Sequence, residues 1–344
     1  MAPEIQTGTP SPLVLTMGEP AGIGPDVTIE AWVRRRELRL PVFYCRADPE
    51  LLRARARLLG MHCPIEEISP IGAADCFDRA LPVAALDGRV ASGPGRPRVD
   101  NAAAVIEAIA RGVGDVRSGA ASAIVTSPIN KKSLYDAGFR HPGHTEFLGN
   151  LSAAWTGQPG RPVMMMASRF LNVVPVTIHL PLREVASTLS EALIVETARI
   201  VVADLKRRFA IPAPRVAVAG LNPHAGEGGT IGDEDERIIR PAIAMLTREG
   251  VAVAGPLSAD AMFHDAARAT YDVALCMYHD QALIPAKTLS FKETVNVTLG
   301  LAFVRTSPDH GTAFDIAGTG KADPSSLAAA LRLAAELTRN EARA

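Results

Sequence analysis

The sequence predicts an α/β protein, and three observations predict it. Short apolar runs recur along the chain, each closes in a turn rich in glycine, proline or polar residues, and amphipathic segments of helical period lie between them. The first run is LVLT at 13–16, closed by the turn MGEPAGIGPD, with a helix expected from about Val27. Residues 102–116 carry a helical stripe. Residues 123–126 repeat the apolar run and 127–132 the turn, and further runs end in VVPVTIH, RVAVAGLNPH and DVALCMYHD. Between them, 195–209 reads as a second amphipathic helix. Val295, Val297 and Leu299 alternate with polar residues as in a strand. A last helix is capped by Asp323, opened by Pro324 and striped with apolar residues over 327–337. No repeat, heptad or low-complexity linker interrupts the chain, which fits strands crossing between two packed lobes.

Composition narrows the functions open to such a fold. Of 344 residues 47% are hydrophobic and 21% charged, an ordinary globular balance with chain enough for two domains and a large core. Lys+Arg 36 against Asp+Glu 37 leaves a formal net charge of -1, so no global basic field attracts nucleic acid or an anionic membrane. A small-molecule ligand is expected instead. Cysteines 45, 63, 76 and 276 form neither CxxC pairs nor a ribbon spacing, so reduced cytosolic thiols are expected rather than a zinc knuckle or a disulfide framework. The start, MAPEIQTGTPSP, lacks the basic and long apolar regions of a signal peptide, and no apolar run is long enough to span a bilayer. A soluble, cytoplasmic protein is the expectation.

The chain has eight histidines, and three close apolar runs: His179 after VVPVTI, His224 inside GLNPHAGEGG, and His279 after VALCMY. Ligands of open α/β sheets collect outside the carboxyl ends of strands, and three imidazoles can meet there. Imidazole suits Zn, Co, Mn or Fe, and three protein ligands leave positions open for substrate or water, as in a catalytic site. Any one of these histidines reads first as a satisfied loop residue; the joint pattern sets a metal site level with that alternative and leaves both open. Asp280 follows His279, either orienting it or standing as a solvated acid.

Other polar groups punctuate the same turns. In HPGHTEFLGN, His144 and Thr145 stand where a glycine-led turn enters a helix, a place for an anion or for simple capping. Lys287, Asn296 and Arg305 can clamp a phosphate or carboxylate, Arg by its fork and Lys as a point charge, or can each be solvated, as Lys292 beside Glu293 is expected to be. MGEPAGIGPD does not match the G-x-G-x-x-G fingerprint, and no P-loop, G-x-S-x-G elbow or H-E-x-x-H helix is present. Asn130 and Lys131 in TSPINKK mark another strand-end turn.

Taken in order, TMGEPAGIGPD, TSPINKK, PGHTEFL, GLNPHAGEGG, MYHDQ and VNVTLGLAFVRTSPDHGTAFDIAGTGKAD resemble the 4-hydroxythreonine-4-phosphate dehydrogenase family, over about residues 13–337. The resemblance implies a two-lobed α/β/α fold like that of isocitrate and isopropylmalate dehydrogenases, with the active site in a cleft and near the interface of a homodimer. It implies a tail over 1–12, a cofactor-side lobe of 13–130 plus 310–344, and a metal, substrate and dimerisation lobe of 131–309. It makes His179, His224 and His279 ligands of a divalent metal (Zn, Mg or Co), shared between subunits. His144, Thr145, Lys287, Asn296 and Arg305 become substrate contacts, with Asp280 a candidate base. DHGTAFDIAGTGKADP looks like an adenine-side loop, so His310, Gly311, Thr312 and Asp315 are expected to hold NAD or NADP. The reaction implied is oxidation of a phosphorylated hydroxy-amino acid followed by decarboxylation. Relatives acting on phosphorylated threonate or erythronate or on aromatic cis-dihydrodiols are the alternatives within the family; a hydrolase or a sugar-phosphate sensor would be alternatives outside it.

Overall fold

The computed structural model describes residues 11–91, 93–141 and 143–344, so most of the expected tail lies outside the described residues. The strands among them are β1 Leu13–Thr16, β2 Phe43–Ala47, β3 Ile65–Glu67, β4 Leu81–Ala85, β5 Ile124–Thr126, β6 Val163–Ala167, β7 Asn172–Pro175, β8 Arg215–Ala219, β9 Ala252–Leu257, β10 Val273–Cys276, β11 Val295–Leu299 and β12 Arg305–Pro308. The chain folds as two compact units, 1–157 with 303–339 and 158–302 with 340–344.

In the first unit the strands run in the order β3-β4-β2-β1-β5-β12, all parallel. Every residue of β1 and β5 is buried, because parallel strands are covered on both faces, and this is why their sequences are continuous apolar runs rather than alternating ones. Thr16 is in register with Thr126, so the turns at Met17 and Ser127 leave the sheet side by side. The helix expected from Val27 starts earlier, at Gly24, since Pro25 carries a φ suited to a first turn. The helices Ala102–Ser118 and Ser325–Glu341 match their stripes, and Asp323 Oδ1 accepts from Ser325 N at 2.9 Å, as its capping role requires.

The second unit has the order β11-β6-β7-β10-β8-β9, with β6 antiparallel to both neighbours and the remaining pairs parallel. Its core includes Val173, Ala217, Ala274, Cys276, Met262 and Ala286. The helix Glu191–Arg207 starts before the stripe read at 195–209 and ends two residues short of it. At its end Arg208, 1% exposed, reaches Asp204, which also accepts from Gly300 N at 2.8 Å. The expected lobe boundaries at 130 and 309 differ from the observed ones at 157 and 302. Residues 131–157 stay with the first unit because the helix His144–Thr156 packs on 102–118 and Trp155 stacks on Phe303 at 5.7 Å, while β12 pairs with β5. No helix among the described residues is long and apolar enough to cross a membrane.

Candidate active site

In the second unit β7, β10 and β8 are neighbours and parallel, so the chain segments leaving them emerge at one edge. His179 and His279 lie together there, ring centroids 5.8 Å apart, on the wall of a cavity of about 270 Å³ also lined by Thr177, Leu182, Tyr278 and Asp280. His279 is the first residue of the helix His279–Leu289, and its Nδ1 is 2.7 Å from Asp280 Oδ1. This contact favours the tautomer with the proton on Nδ1, donated to the carboxylate, and leaves Nε2 with its lone pair for a metal, the arrangement by which a carboxylate orients a ligating imidazole.

His224 is carried by an unusual backbone. Residues 224–228 all have positive φ, from 44° at Glu227 to 78° at Gly226, making a left-handed turn that includes three residues with a Cβ. Each such residue costs about 1–2 kcal/mol relative to the right-handed form, so the turn needs support from outside. Asp235, fully buried, supplies it: Leu221 N and Asn222 N donate to its carboxylate at 2.9 and 3.1 Å, and Asn222 Nδ2 at 3.0 Å. Ile231 N closes the turn onto Gly226 O at 3.0 Å. His179 is also left-handed, at φ 34°. Strained residues of this kind collect where function fixes geometry. His224 is exposed on this turn, and nearby the Ser258 hydroxyl, with the backbone, holds the Asp260 carboxyl below its usual range.

The donor chemistry fits a borderline divalent metal: imidazoles, one with its second nitrogen tied to a carboxylate. Among the described residues, no three His, Cys, Asp or Glu side chains of the single chain stand grouped for a metal, so His224 is not gathered with His179 and His279. Lys287 lies half-buried beside His279 and Asp280 in an adjoining cavity, its Nζ 5.8 Å from the Phe291 ring, and Asn296 is half-buried on β11.

In the first unit Arg305, 4% exposed on β12, donates from Nε and a terminal nitrogen to Thr126 Oγ1 at 3.0 and 2.7 Å. Burial pulls its pKa down to about 10. His144 stands near it with Nε2 buried and without a hydrogen-bond partner. Burial, and then the charges of Arg305 and Lys131, hold this imidazole well below its ordinary range, so it is neutral. Gly143 is the N-cap with no side-chain cap, so Thr145, in the first turn, is not the capping residue. Asn130 does cap: its Oδ1 accepts from Ser133 N at 3.0 Å. A buried guanidinium beside a neutral imidazole with an open nitrogen is the chemistry of an anion site.

The loop after β12 rests on the glycine-rich turn after β1. Ile23 N donates to Thr312 O at 2.9 Å, and a Cβ on Gly22 would stand 2.7 Å from that oxygen, which is why glycine is needed there. Thr312 therefore spends its carbonyl on the fold, while Gly311 and Asp315 are exposed and His310 keeps a buried Nε2 without a partner. That orphaned nitrogen, with open space around Gly311, fits a loop that receives a nucleotide. Arg55 braces the turn, donating to Pro20 O and Gly22 O at 3.0 Å each and pairing with buried Asp26, whose Oδ1 accepts from Gly318 N at 2.6 Å. Nothing in RARARLL or DEDER marks Arg55 or Asp235 out in the sequence.

Comparison with known proteins follows the same motifs. The sequence model of the pyridoxal phosphate biosynthetic protein PdxA matches residues 38–334. A 4-hydroxythreonine-4-phosphate dehydrogenase of Bradyrhizobium diazoefficiens is 57% identical over 334 residues, covering 95% of this chain and 96% of the relative. The crystal structure of 4-hydroxythreonine-4-phosphate dehydrogenase from Klebsiella pneumoniae superposes with a TM-score of 0.84 at 35% identity, covering 97% of this chain and 99% of that one. A terephthalate 1,2-cis-dihydrodiol dehydrogenase from Burkholderia xenovorans is more distant, with a TM-score of 0.63 and 26% identity over 94% of this chain and 97% of that one. Matches of this length and identity leave one assignment: the chain belongs to the PdxA family of pyridoxal phosphate biosynthetic proteins.

Proposed function

We propose that the protein is a 4-hydroxythreonine-4-phosphate dehydrogenase: it oxidises the 3-hydroxyl of 4-phosphooxy-L-threonine with NAD or NADP, giving 2-amino-3-oxo-4-phosphooxybutanoate, which loses CO2 to form 3-amino-2-oxopropyl phosphate. The observation that carries this is the 57% identity to a relative of that name along nearly the whole of both chains. Arg305, its guanidinium held by Thr126, supplies a buried positive charge for a substrate anion. His144 and Thr145 add hydrogen-bonding groups, Lys287 a point positive charge and Asn296 an amide that fixes orientation. Holding the substrate this way supplies the alignment that hydride transfer needs. His310, Gly311, Thr312 and Asp315 would hold the nicotinamide nucleotide, which accepts the hydride.

His179, His224 and His279 would hold the divalent metal, whose Lewis acidity lowers the hydroxyl pKa and steadies negative charge as CO2 leaves. Asp280 keeps the Nδ1 proton of His279 in place; its side chain is 70% exposed, so it is also open to take up the substrate proton. Sharing ligands between subunits of a homodimer meets the separation of His224 from the other two. The second unit offers an apolar face for that partner beside the histidines, where Leu182, Ile284 and Phe291 are 70%, 64% and 73% exposed. The enzyme would act in the cytoplasm.

The test is a spectrophotometric assay on the full-length protein with 4-phosphooxy-L-threonine and NAD or NADP, with and without EDTA. Reduced nucleotide and CO2 should form one for one, and the chelator should abolish both. No reduced nucleotide from this substrate would sink the assignment; unchanged rates in EDTA would sink the metal.

A further inference from the structure

Gln281 is two residues beyond His279, 9% exposed, and absent from the roles assigned above. Its Oε1 accepts from Met277 N at 2.6 Å and its Nε2 donates to Gly220 O at 2.8 Å. An N–H on one side and a carbonyl on the other leave one orientation of the amide, so the assignment of its two ends is forced by its partners. Met277 is the residue between β10 and the start of the His279 turn. Its carbonyl in turn accepts from Thr177 Oγ1 at 2.7 Å and Thr177 N at 3.2 Å, two residues before His179. Gly220 opens the turn that carries His224, and a Cβ there would stand 2.7 Å from Ala225 Cα, so the left-handed turn packs directly on it.

These contacts join three strand ends. Thr177 follows β7, Met277 follows β10 and Gly220 follows β8; one buried chain of hydrogen bonds runs Thr177, Met277, Gln281, Gly220, with Thr177 near His179, Met277 and Gln281 on either side of His279, and Gly220 near His224. We infer that Gln281 is a positioning residue for the three histidines, fixing the turn of His224 against those of His179 and His279, and so setting affinity for a divalent metal. The inference rests on the metal reading given above. A side chain that is buried, doubly hydrogen-bonded and shared by two loops transmits a shift of one loop to the other, and neither glutamate nor leucine reproduces both bonds.

The test uses cobalt(II) as the probe on the full-length protein. Affinity is read by competition with a chromophoric chelator, coordination by the visible d–d spectrum, and the amides of Met277 and of 220–228 by hydrogen exchange. Gln281→Leu should weaken cobalt binding at least tenfold, change the d–d bands and speed exchange at Met277. Gln281→Glu keeps the acceptor for Met277 but loses the donor to Gly220, so it should weaken binding in the same direction with faster exchange confined to 220–228. Should Gln281→Leu fail to fold, Gln281→Glu decides. Cobalt affinity and spectrum within twofold of wild type in the folded variants would overturn the role of Gln281. A wild-type protein that binds no cobalt would overturn the metal reading itself, and the role with it.

Discussion

At the scale of residues, the groups that matter are ordinary side chains in costly settings. His144 shows the cost most directly, because burial and two nearby cations keep it neutral. Its folded pKa lies below the ordinary value of about 6.5, so on acidification the unfolded chain takes up this proton first and stability falls. The contribution is complete above that ordinary value and is lost as pH drops from it toward the depressed folded value. His310, lowered chiefly by burial, has the same sign. The melting temperature of His144→Gln should therefore decline less steeply than wild type between about pH 7.5 and 5.5; equal slopes in calorimetry would contradict this. The three strand-end histidines were legible in the sequence because each ends an apolar run. Their backbone was not: nothing in PHAGEGG but its glycines hints that histidine, alanine and glutamate all turn left-handed with them. The buried state of Asp235 was hidden for a related reason, since an acid inside DEDER looks like solvated surface until the turn it supports is seen.

Elements were the most readable level, and the places where they departed from expectation have local causes. Apolar runs became parallel strands and striped segments became helices, because burial on two faces or one dictates those patterns. The helix after MGEPAGI began three residues early through Pro25, and His279, expected at a strand end, opens a helix of its own. Between elements, Asp204 is the joint that sequence does not reveal. It binds the turn after β11 through Gly300 N and sits 3.2 Å from buried Arg208, whose pKa burial lowers. Asp204→Ala leaves a guanidinium buried with its nearest carboxylate gone, and a loss of about 3–5 kcal/mol is expected from urea unfolding monitored by circular dichroism. A loss below about 1 kcal/mol would mean that Glu341, 3.4 Å from Arg208 Nε, compensates on its own.

For the whole molecule, family membership was legible because long motifs stand in a fixed order, whereas the division into units was not, since no linker marks positions 157 and 302. The exposed apolar residues of the second unit belong to this scale. If the proposed homodimer forms through them, replacing both Ile284 and Phe291 with Asp should leave a monomer in analytical ultracentrifugation and lower turnover at least tenfold, without loss of helix signal; a wild-type monomer would remove the basis for shared ligands. One feature reaches beyond this single chain. A histidine held at positive φ occupies backbone that glycine or asparagine would take at lower cost, and on the proposed metal role it is ligand binding that keeps histidine there. Relatives released from catalysis should accordingly drift to those residues at the positions of His179 and His224, and the pair becomes a marker by which active and inactive branches can be told apart from sequence alone.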